Sequence, residues 1–430
     1  MRQFHLYIFY TLVALFLYNG FILNKKIPIS IWIYPALFLL LCCLIPSSNF
    51  DGKAWTDWSK YLLKEPFWKI YRSGANYPPL YLYVLWVYTK ICGGIKEIGI
   101  NLINLKRFTL IFDFLLAIVP IWILLKKGWK KKNYFLLPII FLFNIGYLYD
   151  TVVWGQIDAI YVFWIVLSIV FLIKKQGIFA WLFFLIAINF KFQAIIFLPL
   201  LILISFLVMD FDKALKTIIL LIMAQTIILF PFIMHGNVME VINGVWKQSI
   251  NLFPIISASA HNWWILVLNN TNGNDGAIYK FGLSYNKFGY LLFSGSLLVI
   301  LFPLIKILFM KRQRKIIINW KKFTEQIFLL AGLLNLIFFY FNTQMHERYS
   351  YPSIVFFGLY GIWSGNYFLY ILVSLISFLN MEKIIRFLKL NYSSIIFNER
   401  YISILFLGII IFGTYILYKN RKKNYTLARQ

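Results

Sequence analysis

Long apolar segments recur along the whole chain, and they limit the folds that it can adopt. A helix needs roughly 20 apolar residues to cross the hydrocarbon layer of a bilayer, where lipid offers no partner to a backbone polar group. Segments of about this length lie near residues 4–22, 29–46, 78–92, 107–125, 134–149, 157–173, 178–190, 193–209, 214–234, 288–309, 324–341, 351–364, 366–379 and 401–418. The pattern predicts an all-α, multi-pass membrane protein in which about 12–14 transmembrane helices form one domain over residues 1–430.

The scarcity of charged side chains excludes a water-soluble enzyme. Only 13% of the residues are charged and 61% are hydrophobic, whereas roughly a quarter of the residues in a soluble domain are charged. The net charge of +27 would indicate a nucleic-acid partner in a soluble protein. Here the basic residues instead form short runs between apolar segments, as in loops that stay on the cytoplasmic side. We therefore expect a lipid bilayer, and no nucleic acid, as a partner.

These basic runs also orient the predicted helices. They lie at residues 25–26, 126–132, 174–175, 311–315, 321–322 and 419–423, and we assign all of them to the cytoplasm. Residues 48–77 and 235–287 then form two large outer loops, and residues 150–156 and 342–350 also face outward. The counts from the two ends of the chain disagree between residues 78 and 125. Segment 78–92 is short enough to cross only part of the bilayer.

The cysteines and the first apolar segment give no sign of a secreted, disulfide-stabilised protein. Cys42, Cys43 and Cys92 are odd in number and lie in apolar surroundings, without the spacing of a disulfide framework or a metal site. Segment 4–22 lacks a small-residue cleavage site, so we expect a retained helix.

The first outer loop places a carboxylate beside an amphipathic helix. Apolar residues recur at three- and four-residue spacing after Asp51, which predicts a helix in the membrane interface; they are Trp55, Trp58, Leu62, Leu63 and Phe67. Tyr77 and two prolines end the loop. Asp51 has two interpretations at this point. It is either a reacting base or a cap for the first N–H groups of the helix.

Two carboxylates bracket the tripeptide Trp154-Gly155-Gln156 in another outer segment. Asp150 precedes it, and Asp158 opens the next predicted helix, where exposed N–H groups favour an acid. Capping accounts for Asp158. It does not account for Gln156 or for the glycine, which permits close approach of the backbone.

A third cluster, His346-Glu347-Arg348, follows segment 324–341. Charged side chains at membrane depth are costly unless they line an aqueous cavity, and a guanidinium is suited to binding phosphate through two hydrogen bonds. The alternative is an ion cluster that satisfies only itself. A metal site is weakly indicated, because an adjacent His and Glu do not share one helical face and no second histidine is near.

Two further positions carry polar groups at the outer boundary. Lys191 lies between two apolar segments, where it either reaches toward the interface or binds an anion. Asn262 and Trp263, in the second large loop, combine an amide with a ring face on which a sugar can stack. An ordinary interfacial belt of aromatic residues explains the tryptophan equally well.

In this order, the motifs resemble those of the GT-C superfamily of integral-membrane glycosyltransferases. The resemblance covers roughly residues 29–365 and rests on Asp51, Trp58, Tyr77-Pro78-Pro79, Trp154-Gly155-Gln156-Ile157-Asp158, Lys191, Asn262-Trp263-Trp264 and His346-Glu347-Arg348-Tyr349. The chain looks most similar to a bacterial mannosyltransferase-like branch, akin to dolichyl-phosphate-glucose-dependent glucosyltransferases and glycosylphosphatidylinositol mannosyltransferases. It departs from the common arrangement by the extra segment 4–22 and by a short C-terminal region, which leave the acceptor open.

The resemblance implies transfer of a monosaccharide from a polyprenyl-phosphate-sugar to a lipid-linked or surface glycan, usually with inversion. The reaction would take place on the non-cytoplasmic face of a bacterial inner membrane. The family's acidic base in the first outer loop corresponds here to Asp51. The implied donor phosphate or sugar contacts are His346, Glu347, Arg348, Lys191, Gln156 and Asp158, and the implied acceptor or sugar-stacking contacts are Trp58, Tyr77, Asn262 and Trp263.

No cofactor is expected, because cationic side chains can neutralise a departing monophosphate. A divalent metal held by Asp51 and Asp158 stays open. The competing class is a transporter, flippase or polymerase of lipid-linked glycans. A transporter would favour paired repeats and broken helices at mid-membrane, whereas this sequence has no internal repeat and its polar clusters lie in outer loops. A structural scaffold would leave those clusters without a role.

Overall fold

The fold is mostly helical in the part of the chain that the structure, a computed structural model, describes. These residues are 51–125, 140–142, 144–247, 253–313, 316–421 and 425–427. The predicted helices 4–22 and 29–46, the residues Cys42 and Cys43, and most of the first half of segment 134–149 lie outside the described residues.

The first half of the fold consists of helices of unequal length, with short 3₁₀ and π-helical segments between some of them. The α-helices are α1 (Gly52–Lys64), α2 (Pro79–Cys92), α3 (Ile95–Ile100), α4 (Ile103–Leu125), α5 (Ile145–Tyr149), α6 (Asp158–Ile173), α7 (Gly177–Phe190), α8 (Leu198–Val208) and α9 (Phe211–Met234). The connecting turns are two 3₁₀ segments, Phe67–Ser73 and Phe192–Phe197, and one π-helical turn, Asp150–Trp154.

The second half contains the longest helices and two small antiparallel strand pairs. Its elements are α10 (Val238–Ile242), a π-helical turn (Asn243–Lys247), α11 (Trp263–Val267), β1 (Ile278–Lys280), β2 (Leu283–Ser284), α12 (Tyr285–Arg312), β3 (Ile316–Ile318), α13 (Trp320–Phe341), α14 (Tyr351–Ser364), α15 (Phe368–Ile385), a 3₁₀ turn (Ile395–Phe397), α16 (Glu399–Asn420) and β4 (Tyr425–Leu427). Strand β1 pairs with β2, and β3 pairs with β4.

Helix α9 shows why this fold belongs in lipid. Its most apolar stretch of 18 residues has a mean hydropathy of 2.4, yet only 11% of that stretch is buried in the protein. Ile218, Ile222 and Ile227 are among the large apolar side chains that it exposes. Water would disfavour an apolar surface of this extent, whereas hydrocarbon would cover it. Among the described helices, five (α9, α12, α13, α15 and α16) are long and apolar enough to cross a membrane.

The core of the fold forms around α6, α13 and α14, which are buried on nearly every side. Gly332 allows α13 and α14 to approach closely, since a Cβ atom there would lie 2.5 Å from the Phe357 ring. The amide of Asn335 on α13 donates to the Ser353 hydroxyl at 2.9 Å. The same amide donates to the Tyr349 carbonyl at 3.1 Å, and the Ser353 hydroxyl donates to the Gly332 carbonyl at 3.0 Å. Hydrogen bonds of this kind between helices in an apolar interior hold the two helices in register.

The loops predicted to face outward gather at one end of the bundle. The Ala258 backbone N–H donates to the Met345 carbonyl at 3.0 Å, and the Ser403 hydroxyl donates to the Asn262 carbonyl at 2.7 Å. The described basic runs gather at the other end, where β3 pairs with β4 and the Lys175 ammonium lies 5.0 Å from the Trp320 ring centroid.

Segment 78–92 forms a helix too short to cross a bilayer on its own. Helix α2 has 14 residues, about 21 Å at 1.5 Å per residue, against a hydrocarbon thickness of about 30 Å. Helix α1 packs against both α2 and α3. Helix α1 is the helix that we expected in the interface. Since α3 follows directly after α2, both ends of α2 lie close to α1.

Cysteine labelling in cells tests which end of the bundle faces outward. With Cys42, Cys43 and Cys92 replaced by Ser, Phe281→Cys should react with an impermeant reagent, because Phe281 is 91% exposed at the end that holds the acidic clusters. Arg312→Cys, at the opposite end of α12, should react only after permeabilisation. The reverse pattern would invert the predicted orientation.

Candidate functional site

Separate segments of the chain converge on the carboxylate of Asp51. Its Oδ2 atom accepts a hydrogen bond from Gln156 Nε2 at 2.5 Å and one from the Tyr77 hydroxyl at 3.4 Å. The Arg348 guanidinium lies 3.8 Å from the same oxygen. The fold thus brings together the three polar clusters that are far apart in the sequence.

The surroundings of Asp51 favour a chemical role over helix capping. Asp51 immediately precedes α1, but its side chain makes no hydrogen bond to the first N–H groups of that helix. Its side chain is 32% exposed, whereas that of Arg348 is 7% exposed. The carboxylate is therefore the part of this ion pair that an entering molecule can reach.

The charge of Asp51 is stabilised by its neighbours. Burial acts to raise the pKa of Asp51, but the charge of Arg348 and the hydrogen bond from Gln156 outweigh it, with smaller contributions from Lys191 and His346. The pKa of Asp51 consequently lies below its ordinary value. The carboxylate is ionised at neutral pH and can accept a proton.

Arg348 connects Asp51 with the rest of its own cluster. Its Nη1 atom lies 3.4 Å from Glu347 Oε1, and its guanidinium lies 4.7 Å from the Trp154 ring centroid. Glu347 Oε1 also accepts a hydrogen bond from the Trp154 indole at 2.7 Å. Burial acts to lower the pKa of Arg348, but nearby negative charges, that of Asp51 first among them, outweigh it and hold this pKa above its ordinary value. The His-Glu-Arg cluster is therefore not self-contained, because its cation is shared with the first outer loop.

Lys191 and Asp158 form a buried ion pair beside this centre. The Lys191 ammonium also lies 5.7 Å from the ring centroids of both Tyr161 and Tyr349. None of these contacts directs the Lys191 ammonium toward the membrane interface, which was one of its two interpretations. The ammonium is held inside the protein next to the Asp51 centre. It can attract a phosphate there, provided that it contacts the phosphate and Asp158 at the same time.

His346 stands at the edge of the centre with a neutral ring. Burial, followed by the charge of Arg348, lowers the pKa of His346 from 6.5 to about 3. The ring contacts Phe253 edge to face, with 5.3 Å between centroids. At pH 7 the imidazole can exchange hydrogen bonds with a ligand, but it brings no full positive charge.

Trp58 and Tyr77 support the Asp51 carboxylate from one side. The two rings meet edge to face at 5.7 Å between centroids, and both lie in the packed wall formed by α1 and α2. The Tyr77 carbonyl accepts a hydrogen bond from the Tyr71 hydroxyl at 3.0 Å. Trp58 is buried and contacts Tyr77, which in turn donates to Asp51. Its effect on the carboxylate is therefore indirect. Its predicted contact with a sugar stays a prediction.

Asn262 and Trp263 lie in a different environment from the other candidate residues. The Asn262 side chain caps α11, accepting from the Trp264 N–H, and donates to the carbonyls of Phe339 and Asn342. Trp263 packs against Phe341. These contacts attach the second large loop to the end of α13. A sugar-binding role for either residue stays a prediction.

The sequence alone did not assign a role at the centre to Trp154 or Asp150, although both lie between Tyr149 and Asp158. Trp154 contacts both Glu347 and Arg348. The Asp150 carbonyl accepts from the N–H groups of Gly155 and Gln156, the glycine having a φ of +81°, so this turn aims Gln156 at Asp51. The Asp150 carboxylate is buried, and neither oxygen has a hydrogen-bond partner among the described residues. Only the spacing of acids around the Trp-Gly-Gln motif hinted at these roles.

Within the described ranges, no group of three or more His, Cys, Asp or Glu side chains is arranged to hold a metal ion. In comparisons with known proteins, the chain matches no family model and no curated protein.

The neutral state of His346 makes a prediction about acid stability. A histidine whose pKa is lowered by folding stabilises the protein fully above pH 6.5, and this contribution is lost as the pH falls toward 3. Replacing His346 by Gln should reduce the loss in free energy of unfolding between pH 6.5 and 5, by up to about 1.4 kcal/mol per pH unit. Chemical denaturation in detergent at several pH values measures it.

His235→Gln is the matched control, because that ring is exposed and stacks on Trp68 away from the centre. An unchanged pH slope in His346→Gln would show that the His346 ring is not held neutral by the fold.

Proposed function

We propose that this protein is a membrane-embedded glycosyltransferase of the GT-C type. It moves a monosaccharide from a polyprenyl-phosphate-sugar to a lipid-linked or surface glycan on the non-cytoplasmic face of a bacterial inner membrane. The observation that supports this most is the placing of an accessible, ionised carboxylate, Asp51, within 3.8 Å of a buried guanidinium, Arg348. Glycosyl transfer from a lipid phosphate needs a base and a cation side by side.

In the proposed reaction, Asp51 takes the proton from the acceptor hydroxyl. The acceptor oxygen bonds to the anomeric carbon while the bond from that carbon to the phosphate oxygen breaks. The phosphate leaves with the electron pair, and opposite-side attack inverts the anomeric centre. Arg348 stabilises the negative charge that develops on the departing phosphate. The pKa of Asp51 rises when Arg348 turns to the phosphate, and this makes Asp51 a stronger base once the donor is bound.

The surroundings of this pair suit the same reaction. Lys191 adds a second full charge near the phosphate, since Tyr349 adjoins both Lys191 and Arg348. Neutral His346 is available for a hydrogen bond to the donor. Gln156 and Tyr77 hold the Asp51 carboxylate in one orientation, which limits the reorganisation needed at the moment of transfer.

The packing of α1 against α2 and α3 supports an orientation that removes the earlier disagreement in the count of crossings. We propose that residues 78–102 stay at the outer boundary and that α4 then crosses to the cytoplasm. With one membrane crossing fewer, all the basic runs lie on the cytoplasmic side and all the acidic clusters lie on the outer side. The Asp51 centre would then open toward the outer surface, where lipid-linked sugar donors are used.

A transporter of lipid-linked glycans is the second candidate, and one observation favours it. The chain between α7 and α8 breaks at Lys191 and continues as a 3₁₀ turn, and discontinuous helices are frequent at transporter binding sites. Reconstituted vesicles distinguish the two classes. A transferase forms product when donor and acceptor are on the same side, whereas a transporter moves the lipid and forms no new glycosidic bond.

Substitution of Asp51 tests the base. Asp51→Asn keeps the shape and the ability to accept from Gln156 but cannot take a proton. We expect folding to be retained, because Glu347 still neutralises Arg348, and turnover to fall by about 10²–10⁴-fold, the usual contribution of general acid–base catalysis. Transfer of labelled sugar by purified protein measures the loss.

Asp57→Asn is the control within the same helix, because the Asp57 side chain is exposed. If Asp57 proves sensitive and Asp51 silent, the base is misassigned within the loop. Full activity in both variants would make Asp158 the next candidate.

Substitution of Arg348 tests recognition of the phosphate. Arg348→Ala should lower kcat/KM for the donor by roughly 10- to 100-fold, since a charged hydrogen bond contributes about 1.5–3 kcal/mol. Arg348→Lys should recover only part of it, because an ammonium cannot hold two oxygens in a fork. Steady-state kinetics with varied donor, together with thermal unfolding of each variant, separates lost recognition from lost folding. Wild-type donor kinetics in a folded Arg348→Ala protein would assign Arg348 to structure.

A further inference from the structure

The loop between α15 and α16 exposes large apolar side chains at the end of the bundle that holds the Asp51 centre. These side chains belong to Leu388, Leu390, Ile395 and Ile396, and Ile395 is 76% exposed. The loop joins two of the helices that are long and apolar enough to cross a membrane. Its apolar side chains therefore lie at the level where those helices leave the hydrocarbon.

Basic side chains share this loop with the apolar ones. Lys383, Arg386, Lys389 and Arg400 lie within it or at its ends, and among the described residues none of them forms an ion pair with a carboxylate. The exposed acid in the same stretch is Glu399. In the orientation that we propose, this loop faces outward, where loops of membrane proteins are usually poor in Lys and Arg. Lys383 donates to the Tyr392 carbonyl and Arg400 donates to Asn269 Oδ1. Arg386 and Lys389 are exposed, and they are the two cations best placed to meet an anionic partner.

The loop is held in a defined and strained conformation. The buried Glu382 carboxylate accepts hydrogen bonds from the hydroxyls of Tyr149 and Tyr392 and from the Leu388 N–H. Arg386 and Lys389 have φ values of 55° and 51°, a region that side chains other than glycine adopt at a cost. Such strain persists where the surrounding structure enforces it, often at binding sites.

We propose that this loop binds the headgroups of anionic phospholipids at the outer surface of the bilayer. Arg386 and Lys389 contact the lipid phosphates, while Leu388, Leu390 and Ile395 enter the boundary between headgroups and acyl chains. Interfacial segments combine basic and apolar side chains in this way, and basic residues are attracted to anionic lipid surfaces. Lipid is the occupant that fits both properties, because the apolar side chains of the loop continue the exposed apolar surface at the start of α16, where Ile404 and Leu405 are exposed.

Energy transfer between the loop and a labelled lipid tests the proposal. The full-length chain, with its native cysteines replaced by Ser and with Leu390→Cys carrying the donor dye, is titrated in neutral detergent with headgroup-labelled phosphatidylglycerol. We expect saturable transfer that weakens with salt, and weaker transfer with labelled phosphatidylcholine. Arg386→Gln with Lys389→Gln should weaken phosphatidylglycerol binding by about 30-fold at low salt, or about fivefold for each cation.

Two controls make the result specific to this loop. Lys280→Gln with Lys287→Gln removes two exposed cations at the same end, from strand β1 and from the first turn of α12, and should leave the affinity unchanged. A dye on Phe281→Cys should report weaker transfer than one on Leu390→Cys. Equal affinity for the two lipids, or no loss in the Arg386/Lys389 variant, would overturn the proposal. So would burial of the dye by self-association in lipid-free detergent. Each readout is independent of sugar transfer.

Discussion

The buried guanidinium of Arg348 needs negative partners, because an unpaired charge in an apolar bundle is strongly destabilising. Glu347 comes from the same loop as Arg348, and Asp51 immediately precedes α1, at the other end of the described chain. The Trp154 ring covers the guanidinium face from a third segment. The contacts of the Arg348 guanidinium therefore hold together loops that the packing of the apolar helices alone would leave independent.

The carboxylates around the Arg348 guanidinium differ in their accessibility to an incoming molecule. Asp158 is paired with Lys191, and Glu347 is held by Arg348 and the Trp154 indole, so both are buried and occupied. Asp51 is ionised, oriented by an amide and a phenol, and open to an incoming molecule. A site with one accessible base next to a buried cation is suited to deprotonating a hydroxyl while a phosphate departs.

The sequence predicted the helices far better than the contacts between them. The predicted segment 214–234 lies within the helix Phe211–Met234, because a mostly apolar segment of this length has few other stable conformations in lipid. The convergence on Asp51 was expected only through the resemblance, and the pairing of Trp154 with Glu347 was not expected at all. Hydrophobic periodicity fixes which side of a helix is apolar, but it does not specify which distant loop supplies a counter-charge. The burial of Asp150 is likewise a property of the assembled fold.

The proposed reaction requires that the Asp51–Arg348 centre recognise a lipid-linked phosphate. The most direct test is thermal unfolding of the wild-type protein in neutral detergent with a short-chain polyprenyl phosphate, compared with the corresponding polyprenyl alcohol. We expect the phosphate to raise the unfolding temperature in a saturable manner, since a ligand that binds only the folded state stabilises it, and we expect the alcohol to have little effect. Equal shifts with both compounds, or none with the phosphate, would contradict it.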